Sequence, residues 1–350
     1  MGKVKILLGS YVGSVNAQDI NCYEIAKRLN SDIFEVHVLH QKNKVDLGNN
    51  VHFHRISNNR LIKNLSKLFK MATLNADIYY LPRIEKIDII FAKIFGKKRC
   101  IVSSVEIQNV YENKKYDDFF NKYIFDYFCI SNFLNKLNVK HWNKECQVLY
   151  LGSNNSKDDV NFINNGNLKK IAFVGSFEER KKPLDYLKVA KSFPDIEFIM
   201  IGSGSLSGEV DQYIKSHNLK NVKTLGRLQN SEVYKELTTC DLLLIVSDKE
   251  GLPKVVLEAA SVGMPTIYIS KNYKVDYIED GINGFAVQNL NEMMNRINEL
   301  LSNEDQFKNM RTEAYKLAAK YSWDNVINDY EKYFLDTYNM YIKSSYNSPS

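Results

Sequence analysis

Two carboxylates eight positions apart, Glu250 and Glu258, and three consecutive cations, Arg180, Lys181 and Lys182, are the residues best suited to do chemistry in this chain. Glu250 stands in Glu250-Gly251-Leu252-Pro253, directly before a stretch that reads as helix, and Glu258 lies about one turn inside it. An ionised carboxylate on a small, apolar helix is costly unless something satisfies it. A pair of sugar or ribose hydroxyls does so, because a carboxylate accepts from both. The three cations precede Pro183, which suits a first helical turn, so they are placed for a diphosphate. A third stretch, Gly9-Ser-Tyr-Val-Gly13-Ser14, is a small-residue turn able to offer backbone N–H groups to a phosphate. Each group also has a plainer reading. Glu250 could be a first-turn charge favoured by the helix dipole. Glu258 could be a solvated side chain, and the cations a solvated run balanced by Glu178 and Glu179.

These residues need elements to position them. Lys3 to Gly9 reads as a strand, followed by the turn at Gly13 and an amphipathic helix from Ala17 to Leu29. Strand patterns recur at Phe34–Leu39, Val51–Ile56, Asp77–Leu81, Cys100–Val105, Tyr127–Ile130 and Gln147–Leu151, with helical patterns among them. Such alternation specifies a parallel sheet covered on both faces. Residues 153–168 are Asn-rich and polar, a linker composition, which places the first domain at about residues 1–165. A second α/β series follows. Its strands are Lys170–Gly175, Ile196–Ile201, Val222–Leu225, Asp241–Val246 and Thr266–Ile269, and a turn at Asp280–Gly284 leads into Phe285-Ala-Val. Val255 to Val262 reads as the helix behind Glu250, stopped by Gly263 and Pro265. From Leu290 the chain is helical to about residue 343, with breaks near Asn303 and Ser322. Gly202-Ser-Gly204 misses the dinucleotide fingerprint, since the next glycine, Gly208, comes one residue too late. It reads as a tight turn.

Composition bounds the function. The net charge of +6 is uneven, with 23 basic against 14 acidic residues in 1–150 and 24 against 27 in 151–350. A basic first half suggests an anionic partner. Within it, Arg60 to Met71 sets Leu61, Leu65 and Leu68 on one side and Lys63, Lys67 and Lys70 on the other. That pattern fits either a helix packed on the sheet with a solvated Lys face or one lying on an anionic membrane. No basic motif is interleaved with aromatics, which argues against nucleic acid. The five cysteines are scattered, without a C-x-x-C pair, arguing against a disulfide framework or zinc site and for a reducing cytoplasm. No apolar run approaches the ~20 residues that span a bilayer, and the chain starts directly into a strand, so no leader peptide is expected.

The second half closely resembles the nucleotide-sugar domain of glycosyltransferase family 4. The likeness runs from Val174-Gly175 through Lys181, Gly202-Ser-Gly204, Gly226, Cys240-Asp241, Glu250-Gly-Leu-Pro253, Glu258-Ala259, Gly263-Met-Pro265 and Glu279-Asp-Gly281-x-Asn-Gly284-Phe to Tyr321-Ser-Trp323. Tyr150-Leu-Gly152-Ser-Asn154 looks like the element that closes the family's first domain. The resemblance implies the GT-B fold, two Rossmann-like domains with parallel sheets facing across a cleft. It implies a nucleotide-sugar domain over 166–325 and a final helix, 326–350, returning to the first domain. It further implies a retaining glycosyltransferase that needs no metal or other cofactor. Its donor would be a nucleotide-diphospho-sugar, UDP-linked as first guess, and its acceptor a glycan, lipid-linked in surface polysaccharide assembly. By the same resemblance Glu258 holds the ribose, and Glu250 with the backbone of Gly251 and Leu252 meets the donor sugar. Lys181 neutralises the diphosphate, and Gly13 and Ser14 approach it from the other domain. Two positions depart from the pattern. Ser176 stands where the family has Arg, so Arg180 or Lys182 supplies that charge. Ser104-Val-Glu106 stands where the family often has His, which makes Glu106 the acceptor-side candidate.

Overall fold

In the computed structural model the described residues are 2–13, 16–41, 45–48, 50–59, 62–82, 84–96, 98–154 and 167–346. Ser14 lies outside them. The chain divides into two compact units, Met1–Leu151 with Trp323–Ser350, and Gly152–Ser322. The first runs β1 (Val4–Tyr11), α1 (Ala17–Arg28), β2 (Phe34–His40), β3 (Val51–Arg55), α2 (Lys63–Thr73), β4 (Ile78–Tyr80), α3 (Lys86–Phe95), β5 (Cys100–Val105), α4 (Lys114–Asp118), β6 (Asp126–Cys129) and α5 (Asn132–Trp142). Its six strands lie in the order β3-β2-β1-β4-β5-β6, all pairs parallel. Strands β1, β4 and β5 are buried along almost their whole length, as strands covered on both faces must be. Gln147–Leu151, expected as a strand, contributes only a bridge from Val148 to Cys129.

The second unit runs β7 (Lys170–Val174), α6 (Pro183–Ser192), β8 (Glu197–Ile201), α7 (Ser207–Ser216), β9 (Val222–Gly226), α8 (Asn230–Leu237), β10 (Leu242–Ile245), α9 (Val255–Ala260), β11 (Thr266–Ile269), β12 (Gly284–Val287), α10 (Leu290–Ser302) and α11 (Glu304–Lys320). Its sheet, β12-β11-β10-β7-β8-β9, is also parallel in every pair. One core gathers Ile171, Phe173, Phe198, Met200, Leu242, Leu244 and Ile267 from the strands with Tyr186, Leu187, Met293 and Phe307 from the helices. Asp241, at the head of β10, is structural. It accepts from the backbone N–H groups of Lys169 and Lys170 and pairs with the buried Arg311 of α11 at 2.9 Å.

The last helix, α12 (Trp323–Tyr346), belongs to the first unit. Its aromatic stripe explains why. Tyr330 and Tyr333 pack edge-to-face against Phe128 of β6, and Phe334 packs at a tilt against Tyr80 of β4. The Tyr333 and Tyr338 hydroxyls donate to Asp126 and Asp77. Pairs of this kind add about 0.5–1.5 kcal/mol each beyond the area they bury.

Helix α2 is seated the other way round from the arrangement with Leu65 inward and a Lys face outward. Lys67 is fully buried and pairs with the buried Asp88 of α3 at 2.7 Å. It also reaches Glu85, as does Lys63, and both ammonium groups lie over the ring of Tyr11. Leu65 is 67% exposed. The reason is the neighbour: α3 presents a carboxylate to α2, and a buried carboxylate draws in the cation that neutralises it.

Candidate functional site

In an open parallel sheet, ligands bind at the carboxyl ends of the strands where the order reverses, because the loops there diverge and leave a crevice. In the second unit that point lies between β7 and β10, the two strands from which the order runs outward in opposite directions. The loop after β7 carries Arg180, Lys181 and Lys182, and the loop after β10 carries Glu250. Residues 69 positions apart therefore meet. The Lys181 ammonium donates to Glu250 Oε1 at 2.6 Å. The Arg180 guanidinium lies 3.1 Å from Glu250 Oε2 and donates to the Lys249 carbonyl at 2.9 Å. Lys182 pairs with Asp248 at 3.0 Å, which raises the ammonium's pKa, and the Asp248 N–H donates to the Arg180 carbonyl at 2.9 Å. Two loops of opposite charge are thus joined along their length. Glu250 is the buried centre of the pairing, its side chain 9% exposed.

The glycines behind this loop are required by space. A Cβ on Gly175 would stand 3.6 Å from the Lys181 stem, so the lysine lies across that glycine. A Cβ on Gly202 would come 1.9 Å from the Gly175 carbonyl oxygen, and one on Gly204 2.4 Å from that of Phe177. Gly202-Ser-Gly204 thus holds the cation loop from behind, consistent with a tight turn. Ser176 is partly buried beside it.

Glu258 presents a different environment. It is partly buried on α9, between Leu257 and Ala259. Its carboxylate makes no hydrogen bond or ion pair with the described residues. Burial raises its pKa, with Lys254 opposing. Helix α9 begins at Val255 as expected but ends at Ala260, short of Val262; Pro253 closes the preceding turn by accepting from the Val256 N–H. Gly251 and Leu252 are buried in that turn.

Tyr273 was not legible as a site residue. It is buried, its hydroxyl has no partner among the described residues, and Glu250, Arg180 and Asp248 are close enough to act on its titration. Burial is the larger cause of its raised pKa. Nothing in Ser270-Lys-Asn-Tyr273-Lys signals this, since the approach is made by the loop after β11. The Glu279-Asp280-Gly281 stretch is a scaffold: Asn283 accepts from the Glu279 N–H and donates to the Tyr277 carbonyl, and Asp280 accepts from the Ala286 N–H.

In the first unit the order reverses between β1 and β4. Gly13 sits in the loop after β1, exposed, with φ +84°. The buried Asp19 of α1 holds this loop by accepting from the Ser10 hydroxyl, from the Tyr11 N–H at 2.9 Å and from Asn16 at 3.0 Å. Glu106 follows β5, partly buried, and accepts from the Ser104 hydroxyl at 2.9 Å. All five cysteines are free, and four are buried. No helix among the described residues is long and apolar enough to cross a membrane.

Known proteins give these features a context. Residues 155–317 match the family described as glycosyl transferases group 1. An uncharacterized glycosyltransferase of Methanocaldococcus jannaschii is 26% identical over 201 residues, 57% of this chain and 56% of its own length. The alpha-galactosylglucosyldiacylglycerol synthase of Streptococcus pneumoniae is 28% identical over 206 residues, 57% of this chain and 52% of its own. The chain thus spans about half the length of these curated relatives. The crystal structure of Anabaena HepE in complex with UDP-glucose superposes with a TM-score of 0.75 at 16% identity, over 95% of this chain and 99% of that one. The fold is therefore the α/β GT-B fold, and it is the stretch holding the cation loop, Glu250 and Glu258 that matches the group 1 glycosyl transferases.

Proposed function

We propose that this chain is a retaining, metal-independent glycosyltransferase that moves a sugar from a UDP-sugar to a lipid-linked glycan in surface polysaccharide assembly. The observation that carries the reading is the meeting of Arg180 and Lys181 with Glu250 at the β7/β10 reversal, with a Glu258 carboxylate on the following helix that has no partner among the described residues. A donor diphosphate takes over the cations that Glu250 now holds. Lys181, with Arg180 and Lys182, then stabilises the charge that grows on the leaving phosphate, where preorganised cations are most effective. Glu250, released from Lys181, accepts from donor-sugar hydroxyls next to the backbone of Gly251 and Leu252. Glu258 accepts from the two ribose hydroxyls, which satisfy a carboxylate that has no partner among the described residues. No enzymic nucleophile is invoked: the acceptor attacks the face from which the diphosphate leaves, and that phosphate takes the acceptor's proton. In the first unit Glu106 serves as the acceptor-side carboxylate, and the Gly13–Ser14 turn as a backbone donor to an anion.

The names of known relatives support the substrate classes. HepE is described with UDP-glucose, and the pneumococcal relative is named as a glycolipid synthase. The test is UDP release and sugar transfer from a panel of UDP-sugars, with and without chelator, in the wild type and in Lys181→Ala and Glu258→Ala. Loss of turnover in both variants and indifference to chelator are expected. Unchanged activity in both variants would overturn the assignment of the site, and donor binding without any turnover would make the chain a nucleotide-sugar binder.

A further inference from the structure

The outward face of α2 and α3 carries large apolar side chains that nothing among the described residues covers. Ile62, Leu65 and Phe69 are 51%, 67% and 62% exposed, and Ile90 and Ile94 of α3 are 45% and 58% exposed. On a helix of 3.6 residues per turn, positions 62, 65 and 69 fall within about 60° of one another, on the side opposite Lys67. The roll of α2 is fixed by its polar residues, because Lys67 is held inward by Asp88 and Lys63 by Glu85. The helix thus spends its cations inward and presents its apolar stripe to solvent, the reverse of an ordinary surface helix.

The exposed charges that the two helices themselves contribute to this face are all lysines, although Glu85 before α3 and Asp118 near Lys93 are partly exposed nearby. Lys86 and Lys93 are exposed on the same side of α3 as Ile90 and Ile94, and Lys98 is exposed just beyond the helix. The sole carboxylate in either helix is Asp88, which is buried. Apolar side chains fringed by lysine, with no exposed acid from either helix, complement a surface that is apolar in depth and anionic at its rim.

We propose that α2 and α3 dock the first unit onto an anionic lipid bilayer. Ile62, Leu65 and Phe69 enter the boundary between headgroups and acyl chains, and Lys86, Lys93 and Lys98 lie over the lipid phosphates. Of the three lysines expected to touch the membrane, Lys63, Lys67 and Lys70, the first two serve instead to aim the apolar stripe outward, and Lys70 is partly buried. The inference stands on the surface of this unit and holds whatever acceptor the enzyme uses.

The experiment is sedimentation of the full chain with phosphatidylcholine vesicles, with and without phosphatidylglycerol, and with no sugar donor. The wild type is expected to bind the phosphatidylglycerol vesicles, and less so at high salt. Leu65→Ser with Phe69→Ser is expected to lower partitioning about tenfold or more, since each side chain loses its apolar transfer. Both positions are exposed, so the melting temperature should stay that of the wild type. Lys86→Gln with Lys93→Gln and Lys98→Gln is expected to remove the preference for anionic lipid. Failure of the wild type to bind, or equal binding by the Leu65/Phe69 variant, would overturn the proposal. So would a wild-type dimer that the Leu65/Phe69 variant dissociates, which would assign the face to a second copy.

Discussion

Replacing Glu258 with glutamine should stabilise the chain and weaken its hold on nucleotide, a combination that follows from a carboxylate kept for a ligand. The Glu258 carboxylate is partly buried and has no partner among the described residues, and burial raises its pKa. The sign follows from proton linkage. The folded chain keeps this proton to a higher pH than the unfolded chain does, so its stability falls as pH rises from the unfolded pKa through the folded one. At neutral pH the charge is therefore a burden on the fold. Glutamine has the same shape without the charge, and relief of this kind is worth about 0.5–2 kcal/mol. For a unit of the size of Gly152–Ser322 each kcal/mol raises Tm by about 2–4 °C. The gain should vanish below about pH 4, where the carboxyl is protonated in both states. Binding moves the other way. Hydrogen bonds to a charged group are worth about 1.5–3 kcal/mol, and glutamine can replace only one of the two acceptors, so UDP affinity should fall about 10- to 150-fold. Scanning calorimetry without ligand at both pH values, with titration calorimetry of UDP at pH 7, reads both effects. A variant less stable than the wild type at pH 7, or one that binds UDP equally well, would refute the reasoning.

Four further outcomes are expected. Lys67→Met leaves Asp88 buried without its cation and should cost about 3–5 kcal/mol in urea unfolding, partly restored by Asp88→Asn in the same chain. Gly202→Ala puts a Cβ 1.9 Å from the Gly175 oxygen at φ +142°, so it should destabilise the second unit by about 2 kcal/mol or more and weaken UDP binding. Tyr273→Phe deletes a buried hydroxyl that has no partner among the described residues, so unfolding should show no loss and a gain of up to about 1 kcal/mol. His54, beside His37 on the β2–β3 edge, is lowered to about 4, chiefly by burial and then by His37. As pH falls from about 6.5 to about 4 the unfolded chain protonates first, and stability should drop, by about 1–2 kcal/mol once solvent screening of this half-buried ring is allowed for. His54→Gln should flatten that limb of the pH–stability curve.

Sequence carried some of these features and hid others for identifiable reasons. The strands were readable because a strand buried on both faces tends to a continuous apolar run, as Leu242–Ile245 and Ile6-Leu-Leu8 are. Gln147–Leu151 is equally apolar, yet extended pairing also needs a neighbouring strand, and Val148 finds only a bridge. The spacing of Glu250 and Glu258 is local and visible. The pairing of Glu250 with Lys181 is not, because it depends on β7 and β10 lying side by side. The roll of α2 was unreadable for a similar reason. A helical period shows two faces, but which one packs was decided by Asp88, 21 residues away on another helix. Asp241 stood out in the sequence as part of a motif, and the structure gives it a framework role through Arg311.

The central claim is that the β7/β10 reversal is where a UDP-sugar is bound and broken. Its most direct test is transfer of a radiolabelled sugar from UDP-sugars to a lipid extract, comparing the wild type with Lys181→Ala and Glu250→Gln. The account predicts lipid-soluble label and free UDP with the wild type, and at least a hundredfold loss in each variant, the order expected when a group stabilising transition-state charge is removed. Full transfer by both variants, or no donor bound or cleaved by the wild type, would contradict it.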